Sequence, residues 1–282
     1  IEGLPGIIEK DWHPYFDVTG DSFPDEQLSF YEDYLNVTEN PGTLITSRFQ
    51  TSNERAAGIY LLADQARKIS SQLTAVKGQV TGPFTMLTGI TDTEKKLGYY
   101  DPTFRDIVVK GIAMKAAWQV SYLKKAYDVP VLLFIDEPAL AGLGSSSFIS
   151  ISVDDIAQDL AEITGAIHKS GGMAGVHVCA NTDWNLLLTS DIDILSFDAY
   201  TFFDRFITCK KLIHTFLERG SLIAWGIIPT SEPENIQQET CDSLVSRWEQ
   251  QADLLSGGDW DMTTLLQQTI ITPSCGTGSL SP

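Results

Sequence analysis

From Ala75 onward the chain alternates between short apolar runs and longer stretches whose apolar residues recur at helical spacing. The runs are Ala75 to Val80, Val131 to Ile135, Met173 to Val178, Asp193 to Phe197, Leu222 to Ile228 and Thr269 to Thr272. They are nearly continuous in apolar character, not alternating, as strands must be when both faces are buried. The stretches between them read as helices over Pro102 to Tyr127, Val153 to His168, Asp204 to Glu218 and about Pro233 to Leu255. The clearest stripe is Val108, Ile112, Ala116, Val120 and Leu123, which puts one apolar face on a long helix. Strands joined through helices run parallel, so the pattern constrains the fold to a parallel α/β architecture.

Two such architectures suit a chain of this size, a doubly wound sheet and a (β/α)8 TIM barrel. No Gly-x-Gly-x-x-Gly loop follows the first strand, and polar residues stand at the C-terminal end of nearly every strand. Both observations favour the barrel. The expectation is a single barrel domain over residues 1–282, with an irregular segment over 1–50 and β/α repeats over 51–282. Within the irregular part, Tyr15 to Val18 could be a strand and Pro24 to Tyr34 an acidic, aromatic helix. A further helix is expected from Asn53 to Leu73, with Ile59, Leu62, Ala63, Ala66, Ile69 and Leu73 on its apolar side. A barrel needs eight strands and six are found. The chain opens at Ile1 without a Met and closes at Ser281-Pro282, which reads as the cap and first turn of a helix. The first two strands are therefore expected upstream of Ile1, and the last helix beyond Pro282.

Charge narrows the partners. The 37 acidic residues outnumber the 19 basic ones, for a formal charge of −18, a field that repels phosphate backbones and anionic lipid. Neither nucleic acid nor a membrane surface is an expected partner. No apolar run approaches the roughly 20 residues that span a bilayer, and no basic-then-apolar leader is present, so a cytoplasmic location is expected. The four cysteines, Cys179, Cys209, Cys241 and Cys275, are too widely spaced for a disulfide framework and read as free thiols or metal ligands.

In a barrel the C-terminal strand ends converge on one mouth, where the site is built. Here they are Thr81-Gly82-Pro83, Asp136-Glu137-Pro138, His177-Val178-Cys179, Asp198, Pro229-Thr230 and Cys275. His177 and Cys179 are two apart on a strand and point the same way, as two ligands of one metal must. Two thiols, an imidazole and a carboxylate form a set that suits Zn2+. Taken singly, a core histidine or an inert buried thiol is the ordinary role of each; at successive strand ends the set reads as a metal site. A cap for the following turn is the ordinary role of Asp136 and a solvated acid that of Glu137, but a carboxylate on a strand end followed at once by Pro reads as functional. Cys209 and Cys241 fall inside expected helices and read as structural. His13, His168 and His214 read as surface residues, and Trp225 as core.

Five segments in this order carry a resemblance: Val80-Thr-Gly-Pro-Phe84, Phe134-Ile-Asp-Glu-Pro-Ala-Leu140, His177-Val-Cys179, Ile194-Leu-Ser-Phe-Asp-Ala199 and Ile271-Thr-Pro-Ser-Cys-Gly276. Together they resemble the catalytic domain of cobalamin-independent methionine synthase, a zinc-bearing (β/α)8 barrel, over residues from about 75 to 282. The resemblance implies metal ligation by His177, Cys179, Cys275 and the carboxylate at position 198. It also implies that Asp136 holds the amino group of the substrate homocysteine, with Glu137 and Thr81 beside it at the substrate. The family carries Glu where this chain has Asp198, and the folate-using members carry a proton-donating His where this chain has about Thr230. No duplicate N-terminal domain is seen. The chain thus looks closer to the short, single-domain core methionine synthases, whose methyl donor is a methylated corrinoid protein. Related corrinoid methyltransferases of the uroporphyrinogen decarboxylase superfamily share the zinc site and act on other thiols such as coenzyme M. A zinc-barrel hydrolase and a zinc-free binding barrel are the remaining alternatives; two thiolate ligands argue against the hydrolase by quenching Lewis acidity.

Overall fold

The computed structural model describes residues 2–10, 13–69, 73–145, 148, 150–257 and 260–278. The helical start expected at Ser281-Pro282 lies outside them, as do residues 70–72 and the side chain of Ile69 in the expected Asn53–Leu73 helix. The chain forms two compact units, residues 1–139 with 152–174, and residues 140–151 with 175–282.

The first unit begins with a two-stranded antiparallel ribbon, β1 (Ile7–Lys10) and β2 (His13–Phe16). Helix α1 (Phe23–Glu39) follows, buried through Phe23, Phe30 and Val37. Residues 1–50 are thus more ordered than the irregular segment expected, because aromatic side chains anchor them: Phe16 stacks on Phe104 at 4.2 Å, and Phe30 meets Phe49 edge-on. Helix α2 (Ala57–Ile69) leads to β3 (Val76–Thr81) and the short α3 (Pro83–Gly89). Asp101 then starts α4 (Pro102–Ala126) by accepting the Phe104 N–H, with Pro102 in the first turn where its missing N–H costs nothing. The expected stripe of α4, Val108 through Leu123, is fully buried. Strand β4 (Val131–Asp136) lies parallel to β3, with Val76 opposite Val131 and Thr81 opposite Asp136. Helix α5 (Val153–Lys169) packs on α4, where Arg105 Nε donates to Asp159 Oδ2 at 2.9 Å. One further tie joins α4 to the sheet backbone: Gln119 Nε2 donates to the Gln79 carbonyl at 2.9 Å, and its Oε1 accepts the Gln79 N–H.

The second unit takes up most of β5 (Met173–Val178), then α6 (Trp184–Thr189), β6 (Ile194–Phe197), α7 (Ala199–Phe206) and α8 (Lys210–Glu218). After β7 (Leu222–Ile228) come α9 (Pro233–Gln238), α10 (Cys241–Leu255), α11 (Met262–Gln267) and β8 (Thr269–Pro273). The pairs β5–β6, β6–β7 and β7–β8 are all parallel, in chain order. Aromatic rings fill the helix side of this sheet: Trp225, 1% exposed and core as expected, stacks on Phe203 at 5.5 Å, and Trp184 packs against Phe197 and Phe206.

Two expected helices are each divided in two. The helix read over Asp204 to Glu218 starts earlier, where Asp198 accepts the Thr201 N–H, and is broken by a 3-10 turn at Ile207–Cys209. The helix read over Pro233 to Leu255 ends at Gln238 and restarts at Cys241, where Thr240 and Ser243 cap each other reciprocally. Cys209 therefore ends the 3-10 turn as the cap of α8, and Cys241 is the first residue of α10. The fold is mixed α/β with parallel strands flanked by helices, compatible with part of a TIM-like barrel. The described residues supply six parallel strands, two short of the eight a closed barrel requires. No helix among them is long and apolar enough to cross a membrane.

Candidate metal centre

Within the second unit, β5 delivers His177 and, just past its end, Cys179. A strand alternates its side chains, so these two share one face, while Val176 and Val178 are buried on the other. Cys275 arrives from the end of β8. The donor atoms of His177, Cys179 and Cys275 all lie within 4.8 Å of one another, so this group could hold a metal ion. Tetrahedral zinc, with bonds of about 2.3 Å to sulfur, sets its sulfurs roughly 3.8 Å apart, which lies within the 4.8 Å that bounds this cluster. His177 and Cys179 are half-buried and Cys275 is exposed, so the site is open on one side.

Three features hold Cys275 in place. The register of β7 and β8 shifts between Gly226 and Ile228, which turns the end of β8. At Gly226 the chains approach so closely that a Cβ would lie 2.5 Å from the Phe197 carbonyl oxygen and 2.8 Å from the Ser274 Cα. Only glycine tolerates that approach. Finally, Ser274 N–H donates to the Ile228 carbonyl at 2.8 Å, and the Thr230 and Ser274 hydroxyls share a buried hydrogen bond of 2.9 Å. Thr230, expected where the folate-using enzymes carry a proton donor, is thus committed to fixing the residue before Cys275.

The electrostatics favour a neutral Cys179 thiol while no cation is bound. Burial pushes the Cys179 thiol above its ordinary range, and Cys275 and Asp198 push the same way. Thiolates so close together need a positive charge between them.

Asp198 does not belong to the three-donor cluster. It is 6% exposed and its Oδ1 accepts the Thr201 N–H at 2.9 Å, capping α7. The structure therefore brings together three of the four expected ligands and gives the fourth a helix-capping bond.

The residues expected at the substrate lie in the first unit. Thr81 and Asp136 are direct neighbours across β3 and β4 and share a face with Lys77 and Gln79. Burial raises the Asp136 carboxyl, and Lys77 opposes that rise. Lys77 is itself drawn down by burial; its Nζ donates to Gln79 Oε1 at 2.7 Å and lies 5.0 Å from the centre of the Phe134 ring. Glu137 is different. It is 0% exposed, Oε1 accepts the Phe84 N–H at 2.9 Å, and Oε2 accepts from the Thr85 N–H and hydroxyl at 2.8 and 2.6 Å. Its carboxylate caps α3, is buried from solvent and joins the two strand-end motifs. Gly82 allows this contact, since a Cβ there would lie 2.2 Å from the Glu137 carboxyl.

Of the other histidines, His13 is exposed, His168 is half-buried in the last turn of α5, and His214 meets the Leu255 carbonyl at 2.8 Å beside Trp260. Sequence reasoning missed Gly226, Ser274 and Ser196, whose hydroxyl lies 3.0 Å from His177 Nδ1. An isolated Gly in an apolar strand was the one visible signal among them. No protein-family model matches this chain, and no curated protein matches it.

Proposed function

We propose that the protein is a zinc-dependent S-methyltransferase, built as a (β/α)8 barrel, that methylates a small thiol. The observation that carries this reading is the convergence of His177, Cys179 and Cys275 within 4.8 Å. A sulfur-rich donor set of this kind suits zinc and suits thiol activation better than hydrolysis. When bound, zinc lowers the proton affinity of a substrate thiol so that its sulfur is nucleophilic at neutral pH. The chain's own contribution is to present two sulfurs and one imidazole on one side and leave the other side open to substrate.

The resemblance to cobalamin-independent methionine synthases names homocysteine as the thiol and gives Asp136 its amino group. The half-buried carboxylate of Asp136, beside Thr81, is consistent with holding an ammonium. The donor is read as a methylated corrinoid protein and not a folate. A folate leaving group must be protonated, and the hydroxyl at Thr230 is already bonded to Ser274. A cobalt-bound methyl leaves its electron pair on the metal and needs no such acid.

The test is methyl transfer with zinc-loaded protein, homocysteine or coenzyme M as acceptor, and methylcobalamin or methyl-folate as donor. Methionine formed from homocysteine and methylcobalamin is expected, with Cys275→Ser lowering the rate at least about 100-fold. Undiminished activity in Cys275→Ser would break the assignment. Product from coenzyme M alone would move the protein to a different thiol on the same chemistry.

A further inference from the structure

The side-chain row that carries His177 continues across the sheet of the second unit. His177 is opposite Ser196, Ser196 opposite Ala224, and Ala224 opposite Ile270. Residues opposite one another in parallel strands share a face, so this row holds one imidazole, one hydroxyl and two apolar groups. Ser196 is 5% exposed, in a strand whose four residues are all buried. A hydroxyl is costly in such a place unless it is bonded. Its oxygen lies 3.0 Å from His177 Nδ1.

We infer that Ser196 is the positioning residue of the metal centre, holding His177 Nδ1 so that the imidazole meets a metal through Nε2. The inference rests on the reading of His177, Cys179 and Cys275 as metal ligands. A neutral imidazole that ligates through Nε2 carries its proton on Nδ1, and the Ser196 oxygen is placed to accept it. The bond also sets the ring's rotation about its attachment to β5. Alanine at 196 would remove the hydroxyl that meets Nδ1, while threonine would keep it.

The experiment compares wild type, Ser196→Ala, Ser196→Thr and Cys275→Ser by chelator competition for zinc and by nitrogen-15 spectra of the histidine rings. Ser196→Ala is expected to bind zinc about 10-fold to 100-fold more weakly, with Ser196→Thr restoring most of the loss. The zinc-loaded wild type is expected to show His177 protonated at Nδ1. That spectrum needs no variant, so the inference stays testable if a substitution at this buried site fails to fold. Equal zinc affinity in wild type and Ser196→Ala, or a loaded His177 protonated at Nε2, would overturn the inference while leaving the metal centre standing. A loss in Ser196→Ala that threonine does not restore would assign Ser196 to packing and overturn it as well. Failure of wild type to bind zinc at all would overturn the centre, and this inference with it.

Discussion

Two strand ends in this molecule look alike in sequence and differ in what the fold does with them. In the first unit, Glu137 follows β4 and is met by three donors from α3, so every lone pair that matters is answered from within. In the second unit, Cys179 and Cys275 follow β5 and β8 and face each other as two thiols beside an imidazole, with one side open. Both are clusters of chemically capable groups at strand termini. The first is buried and hydrogen-bonded, the second more accessible. A polar strand end is thus a stronger candidate site when its groups converge and remain accessible than when they are buried as a helix cap.

Gly82→Ala would drive a Cβ to within 2.2 Å of the Glu137 carboxyl. It is expected to lower stability by about 3 kcal/mol or more, combining overpacking with loss of a buried cap. Thermal unfolding checks this; an unchanged melting temperature would show that the first strand end is looser than described. Cys275→Ser tests the second strand end. Cys275 is exposed, so the metal-free protein should change stability by less than about 0.5 kcal/mol. Zinc affinity should fall by at least about 100-fold, read by chelator competition.

Glu137→Gln sharpens the contrast through pH. It turns an acceptor toward Thr85 into a donor and should cost roughly 1–3 kcal/mol at acidic pH. Burial pushes the Glu137 carboxyl from 4.5 up to about 7, against three hydrogen bonds that favour its ionised form. Between those values the folded state binds more protons than the unfolded one, so stability falls as pH rises through this window. Glutamine cannot titrate, so the deficit of Glu137→Gln relative to wild type should shrink between about pH 4.5 and pH 7. A deficit that grows over that range would mean the three donors outweigh burial.

Much of the fold is legible in the sequence because parallel strands buried on both faces write long apolar runs. Met173–Val178 and Leu222–Ile228 are read to the residue for that reason. Helix breaks are less visible. Ile207–Cys209 carries neither Gly nor Pro, and only the three-dimensional turn separates α7 from α8. The break before Cys241 was marked by Thr240 and Ser243, a capping pair that a long helical period overrode. Asp198 shows a sharper limit: an acid after a strand can also cap the next helix, and here its Oδ1 accepts the Thr201 N–H. For the site, strand alternation alone pairs His177 with Cys179, while Cys275 joins them as the residue past the end of another parallel strand. Ser196 is invisible without register, because nothing in one strand says which residue of the next lies beside it.

The tie at Gly226 has a consequence for how the second unit matures. The cluster joins the end of β5 to the end of β8, partners separated by most of that unit's sequence. Contacts of such long range form late, after the loop entropy of the intervening chain has been met. The donor set therefore exists only once β8 has docked past Gly226, and a bound cation would hold the last strand in place against fraying. Metal capture would then report completion of the unit, and a chelator would loosen its final strand before any other.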